Sequence, residues 1–172
     1  MKKLLIPLLL LAACSQQQGG GGGGNQSAPA ARQAEQAAAR PATLGTLIGL
    51  YEGGPGNTRN QMCVVKGKSG EARFGLVVWG SNLHSCSGAG TLDRNGGKLR
   101  LAMAGDSACT FEATISGRTI TLPEQIPQGC AYYCGARASL GGAELTQTGT
   151  SEADAMKAKD LVGDPLCATE GG

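Results

Sequence analysis

Asp93-Arg94-Asn95-Gly96-Gly97-Lys98-Leu99-Arg100-Leu101-Ala102-Met103 decides the fold. Asn-Gly between two alternating runs is the strongest short-range hairpin signal, because both residues tolerate a positive φ in a tight turn. On one side the spacing predicts a strand over Ser85–Asp93, on the other a strand over Lys98–Ala104. Leu99, Leu101 and Met103 alternate with Lys98 and Arg100, so one face is dry and the other wet.

The same texture runs outward in both directions. Downstream, Gly105-Asp106-Ser107 turns into Ala108–Ile115, where Cys109, Phe111, Ala113 and Ile115 share a face, and Ser116-Gly117 turns into Thr119–Leu122. Pro127-Gln128-Gly129 breaks the chain before Cys130–Leu140, with Cys134, Ala136, Ala138 and Leu140 in phase. Gly141-Gly142 then reads as a hairpin into Ala143–Thr148. Upstream, strands are expected over Thr46–Glu52, Gln61–Lys66 and Ala72–Trp79. In Ala72–Trp79 both faces are apolar, which fits a central strand or one with an exposed patch. Cys86, Gly88, Gly90, Ala136 and Ala138 fall on expected inner faces, and small inward residues suit a tightly curved sheet. Near the end Ser151 and Asp154 stand in the relation of a capping box, with Ala153, Met156 and Leu161 as an apolar stripe and Gly163 and Pro165 as the stop. The fold class is all-β. It is an antiparallel meander of about eight strands closing into a small barrel or sandwich, with a short C-terminal helix.

Six aromatic residues, Tyr51, Phe74, Trp79, Phe111, Tyr132 and Tyr133, make a thin core, so something else must help hold it. Seven cysteines are present. Six of them, Cys63, Cys86, Cys109, Cys130, Cys134 and Cys167, lie in the strand-rich region and form an even set suited to a disulfide framework in an oxidising compartment. Fifteen pairings are open to six cysteines. Local loop closure favours Cys63–Cys86, Cys109–Cys130 and Cys134–Cys167. Zinc is the rival reading, but Cys130 and Cys134 lack a second pair and the chain has one histidine, so no metal and no cofactor is expected.

The seventh cysteine closes the opening segment. Lys2 and Lys3 precede an apolar run over Leu4–Leu11, then Ala12, Ala13 and Cys14. This is the layout of a secretory signal peptide, and the run is far shorter than the roughly 20 residues that span a bilayer. Leu11-Ala12-Ala13-Cys14 resembles the lipobox of bacterial lipoproteins. The resemblance implies a diacylglyceryl thioether on Cys14, cleavage before it, and an acylated amine, palmitate being a common acyl chain. Two or three chains, at about 0.8 kcal/mol per buried CH₂, hold a protein stably at a membrane. Ser15 in place of Asp implies sorting to the outer membrane, with the domain facing the periplasm. The expected organisation is a signal peptide over 1–13, a lipidated cysteine and Gly/Gln/Ala-rich tether over 14–43, and the β-domain over 44–172. Such a tether behaves as flexible coil with a span of roughly 30 Å.

Removing residues 1–13 leaves thirteen basic and thirteen acidic side chains. A neutral chain lacks the basic surface that phosphate neutralisation needs, so nucleic acid is not an expected partner. His84 is the sole histidine, and the thiols are committed to bridges, which argues against a Cys–His nucleophile. No G-x-S-x-G elbow is present. Glu52, Glu71, Asp93, Asp106, Glu112 and Glu124 are scattered with no spacing that marks an acid–base pair.

The remaining candidates are contact residues: Trp79, and Tyr132 and Tyr133 between two cysteines. One of the tyrosines is expected in the core and the other exposed, and a rigidly held exposed Tyr makes a good contact residue. The expected function is therefore a monomeric, non-enzymatic envelope lipoprotein that binds or inhibits a protein or glycan. Lipid anchor, linker and bridged barrel are together similar to the small lipoproteins that inhibit c-type lysozymes. That family's Tyr-x-Cys-x-x-Gly segment aligns with Gln61–Gly67, where Gln61 replaces the Tyr and the Gly is displaced by one, so no inhibitory residue carries over. Two alternatives stay open. One is a carrier of a small apolar ligand, since Gly49-Leu50-Tyr51 is similar to the opening Gly-x-Trp of lipocalins; the other is a structural envelope role.

Overall fold

Alternation of dry and wet residues makes a sheet with one buried face, and a short chain buries that face most completely by closing the sheet on itself. The computed structural model describes residues 44–54 and 59–167. The strands are β1 (Gly49–Gly53), β2 (Asn60–Lys66), β3 (Ala72–Trp79), β4 (Ser85–Asn95), β5 (Lys98–Met103), β6 (Thr110–Ser116), β7 (Thr119–Thr121) and β8 (Glu144–Gly149). Each pairs antiparallel with the next, and β8 returns to β1, so the sheet is a closed eight-stranded barrel. The expected meander is a barrel, not a sandwich. The signal segment, Cys14 and the tether lie outside the described residues.

The deciding hairpin forms, with its turn one residue later than read. Asn95 pairs with Lys98, leaving Gly96-Gly97 as a two-residue turn, and Gly96 takes the positive φ (60°) that such a turn requires. Leu99, Leu101 and Met103 point into the barrel with Phe74, Leu76, Phe111, Ile120 and Leu145. Phe74 and Leu76 sit opposite Gly90 and Gly88 on β4. A Cβ on Gly90 would collide with the Ala102 carbonyl on β5, and one on Gly88 with Met103 and with the ring of Tyr133, from the segment between β7 and β8. The space that β4 leaves at these glycines is taken by β5 and by Tyr133. Met62, Val64, Leu76, Leu99, Leu101, Ile120 and Leu145 have no exposed surface, so the interior beside them is filled.

Buried polar groups at the seam are paired. Gln147 donates through Nε2 to the carbonyls of Thr46 (3.2 Å) and Ile48 (3.1 Å), holding the chain as it enters β1. The Tyr51 hydroxyl donates to the Leu47 carbonyl at 2.8 Å. Burial pushes the Tyr51 pKa up to about 12, against the opposing charges of Arg94 and Arg118. Because the folded value is raised above the unfolded one, near 10, this contribution is intact below pH 10 and is lost as pH rises toward 12. We expect the domain to lose about 2 kcal/mol across that window. Tyr51→Phe should cost about 1 kcal/mol at neutral pH and abolish that alkaline loss in urea titrations at pH 8 to 12.

β3 is apolar on both faces because it is a central strand, paired with β2 and β4 and buried on both sides. The C-terminal segment folds back over the outside of the barrel. Leu50, Cys63, Val65, Ala155, Ala158 and Cys167 form a second buried cluster there, with Leu166 packed against it. Gly75 lies directly beneath, where a Cβ would come within 2.7 Å of the Leu166 carbonyl oxygen. Lys159 N–H donates to Gln61 Oε1 at 3.1 Å, and the Cys63–Cys167 bridge fastens the end.

Four expectations are corrected. Cys130–Leu140 is not a strand: Gln128–Tyr133 is a 3-10 helix, and the residues after it are turns and irregular chain. Cys134 meets β4 in a single antiparallel bridge with Cys86, and Cys130 is drawn to Cys109, so the segment touches the sheet at one residue and does not run along it. Gly141-Gly142 accordingly ends a long loop between β7 and β8 and is not a hairpin turn; on that loop Ala136 is exposed, whereas Ala138 does pack inward against the core. The bridges are Cys63–Cys167, Cys86–Cys134 and Cys109–Cys130. Only the last matches local loop closure, because closing the barrel brings distant segments together. The C-terminal helix is a single turn, Glu152–Ala155. Its cap is as read: Ser151 Oγ accepts from Asp154 N–H (3.1 Å), and hydrogen bonds from Lys157 and then Ser151 hold the Asp154 pKa down to about 2. Ala155 and Ala158 are the buried positions, and Leu161 is 49% exposed.

Candidate binding face

An antiparallel meander sends alternate connections to opposite ends of a barrel. At one end lie the short turns Gly67–Glu71, Gly96-Gly97 and Gly117-Arg118, together with the entry of the chain into β1. At the other lie the β3–β4 connection (residues 80–84), the β5–β6 connection (104–109) and the β7–β8 loop (122–143). Long loops on a rigid scaffold are where contact residues concentrate.

The β7–β8 loop is stapled to both neighbours. Cys130 is bridged to Cys109 at the foot of β6, and Cys134 to Cys86 on β4. Gly135 N–H donates to the Ser85 carbonyl (2.9 Å), and Ser81 N–H to the Arg137 carbonyl (3.2 Å). The Tyr133 hydroxyl donates to the Ala104 carbonyl at 2.6 Å. Its pKa is raised, first by desolvation and then by the negative charge of Asp106. The three loops thus form one clamped block.

Tyr132 stands on this block, 84% exposed, its ring set edge-on to Tyr133 with centroids 5.3 Å apart. The two tyrosines do divide into an exposed and a half-buried partner, but a 3-10 turn divides them, not a strand. Trp79 ends β3 at the same end and is half-buried, its N–H donating to the buried Asn60 Oδ1 at 2.8 Å. A groove of about 380 Å³ runs between the arms of the loop, walled by Ile126, Pro127, Ala131, Ala138, Ser139 and Leu140. His84 is half-buried beside Gly135. All six cysteines of the domain are in bridges.

One contact candidate was missed. Leu83 is 77% exposed and sits at φ +61°, next to Asn82 at φ +55°. Asn82 offered a hint, since Asn tolerates this conformation, but nothing in the sequence marks a leucine for it. Of the scattered carboxylates, Glu52 is engaged by Arg59, Gln61 and Thr148, and Glu112 by Lys98. Among the described residues no helix is long and apolar enough to cross a membrane, and no group of three or more His, Cys, Asp or Glu side chains is placed to hold a metal. No family model, no curated protein and no solved structure matches the chain.

Proposed function

We propose that the protein is a non-enzymatic envelope lipoprotein, tethered to the outer membrane through Cys14, whose barrel binds or inhibits a protein or glycan. The observation that carries this reading is the disulfide-clamped 128–134 segment, which displays Tyr132 on a backbone fixed at both ends. An aromatic side chain already held in place loses little freedom on binding, which is how contact hot spots gain affinity. The filled barrel interior favours a ligand on the outside over the carrier alternative. The chain enters β1 at the end opposite these loops.

The test is capture. The chain from Leu44 to Gly172, oxidised and immobilised, is exposed to an envelope extract and separately to a purified c-type lysozyme, with reduced protein as control. Binding that needs the bridges and falls at least tenfold in Tyr132→Ala is the expected result; no retained protein or glycan would refute the reading. The anchor is tested apart. Cells fed labelled palmitate should label the wild-type chain and not Cys14→Ala, which should also leave the membrane fraction.

A further inference from the structure

Five of the six bridged cysteines are exposed by 7% or less, and Cys134 alone is half-buried. It lines the groove of about 380 Å³ between the arms of the β7–β8 loop, beside Ala136 and Ala138. Cys130 borders the same groove but is buried, and Cys86, the partner of Cys134, has no exposed surface. Cys63–Cys167 and Cys109–Cys130 are thus covered at both ends, and Cys86–Cys134 at one end only. Exposed bridges are the ones that exchange readily with outside thiols, because a thiolate must reach a sulfur to attack it. Cys134 is also lightly held. It meets β4 in one antiparallel bridge, whereas Cys63 stands inside β2 with a ladder to β1 on one side and to β3 on the other. With Cys86–Cys134 open, the loop keeps Cys109–Cys130, the donation from the Tyr133 hydroxyl to the Ala104 carbonyl, and that from Gly135 N–H to the Ser85 carbonyl. Opening is therefore local and leaves the barrel ladders in place.

We infer that Cys134 is a thiol-exchange site: a small-molecule thiol enters the groove and opens Cys86–Cys134 while the other two bridges stay closed. The incoming thiolate attacks Cys134 Sγ and forms a new S–S bond there. The Cys86–Cys134 bond breaks, its electron pair leaves on Cys86 Sγ, and that thiolate takes a proton from water. A second thiol attacks the sulfur of the first, releases Cys134 as a thiolate and departs as part of a disulfide. The cysteine pair gains two electrons, and two molecules of the thiol are oxidised to one disulfide. Attack falls on Cys134 because Cys86 is sealed within the core. The product frees the arm over 134–140 from its covalent tie to β4 but leaves 128–133 tied to Cys109, so the bridge sets how far that arm moves. This goes beyond the proposed binding role and holds whether or not the face has a partner.

The experiment uses the full-length chain with its bridges formed, held without denaturant in reduced glutathione. Samples are quenched with N-ethylmaleimide at successive times, and each cysteine is read by peptide mass spectrometry. The expected result is glutathione on Cys134 with alkylated Cys86, followed by alkylation of both, at least tenfold faster than opening of either other bridge. Ala136→Trp narrows the groove at an exposed position and should slow this step at least threefold with the melting temperature unchanged. The inference is overturned by a first adduct on Cys86, by another bridge opening earlier, or by all three opening together, which marks global unfolding. It is equally overturned if glutathione that reduces the urea-unfolded chain leaves the folded one untouched. Opening by a Cys-x-x-Cys protein and not by glutathione would remove the small thiol as the reductant, and an unchanged rate in a folded Ala136→Trp would remove the groove as its route.

Discussion

Replacing Cys63 and Cys167 together with alanine lowers the free energy of unfolding by about 4–5 kcal/mol. Their bridge joins residues separated by 104 positions. A cross-link restricts the unfolded chain more as the loop it closes grows, and at about 100 residues that restriction is worth roughly 4.7 kcal/mol. Cys109–Cys130 spans only 21 positions, so its removal costs about 3 kcal/mol. Urea titration of oxidised variants, followed by Trp79 fluorescence, measures both. The variants differ in another respect. Without Cys167 the C-terminal segment loses its fastening, so amide exchange at Ala155 and Ala158 should speed up while the inward strands stay protected. Equal losses from the two bridges would show that chain entropy does not set their contributions.

Phe74→Ala costs about 4 kcal/mol. The ring is 2% exposed and faces Gly90 across the β3–β4 ladder. Large-to-small changes in a core lose the transfer energy of the missing atoms and add a cavity term set by how far the site collapses. Here collapse is restricted. Gly90 has no side chain to swing inward, and its backbone already lies against Ala102. The void should persist, and an apolar void stays dry and takes up apolar guests. Urea unfolding gives the loss. Recovery of part of it under xenon or benzene would show that the cavity remains open.

How much of this was legible in the sequence follows from what each signal depends on. Asn95-Gly96-Gly97 with Leu99, Leu101 and Met103 encodes a turn and a face within a dozen residues, and the predicted hairpin forms with Asn95 on the strand and Gly96-Gly97 at its tip. The expected Ala72–Trp79 strand matches β3 residue for residue. Cys134, Ala136, Ala138 and Leu140 show the same period, yet alternation says only that a segment suits a sheet and not that a neighbour is free to pair with it. Only Cys134 pairs, in a single bridge with Cys86 on β4. Cys63 and Cys167 illustrate the same limit at longer range, since their meeting depends on where the chain goes after β8. Of the candidate face, Tyr132 and Tyr133 were visible through their flanking cysteines. Leu83 was not, because its interest lies in a backbone angle imposed by hydrogen bonds from another loop.

The seam between β1 and β8 has a consequence in time. Seven of the eight ladders join strands adjacent in sequence and form as soon as the second strand is available. The eighth joins Leu50 to Gly149, and the outer fastening needs Cys167. A chain that emerges amino end first, from a ribosome or through a membrane pore, therefore exposes an open, curling sheet until almost its whole length has come through. Its first strand waits about a hundred residues for its partner, at little extra entropic cost once the intervening hairpins are made. A chain stalled before residue 144 keeps two unpaired edges ready to add a strand from any neighbour, and the arrival of β8 is what pairs them with each other.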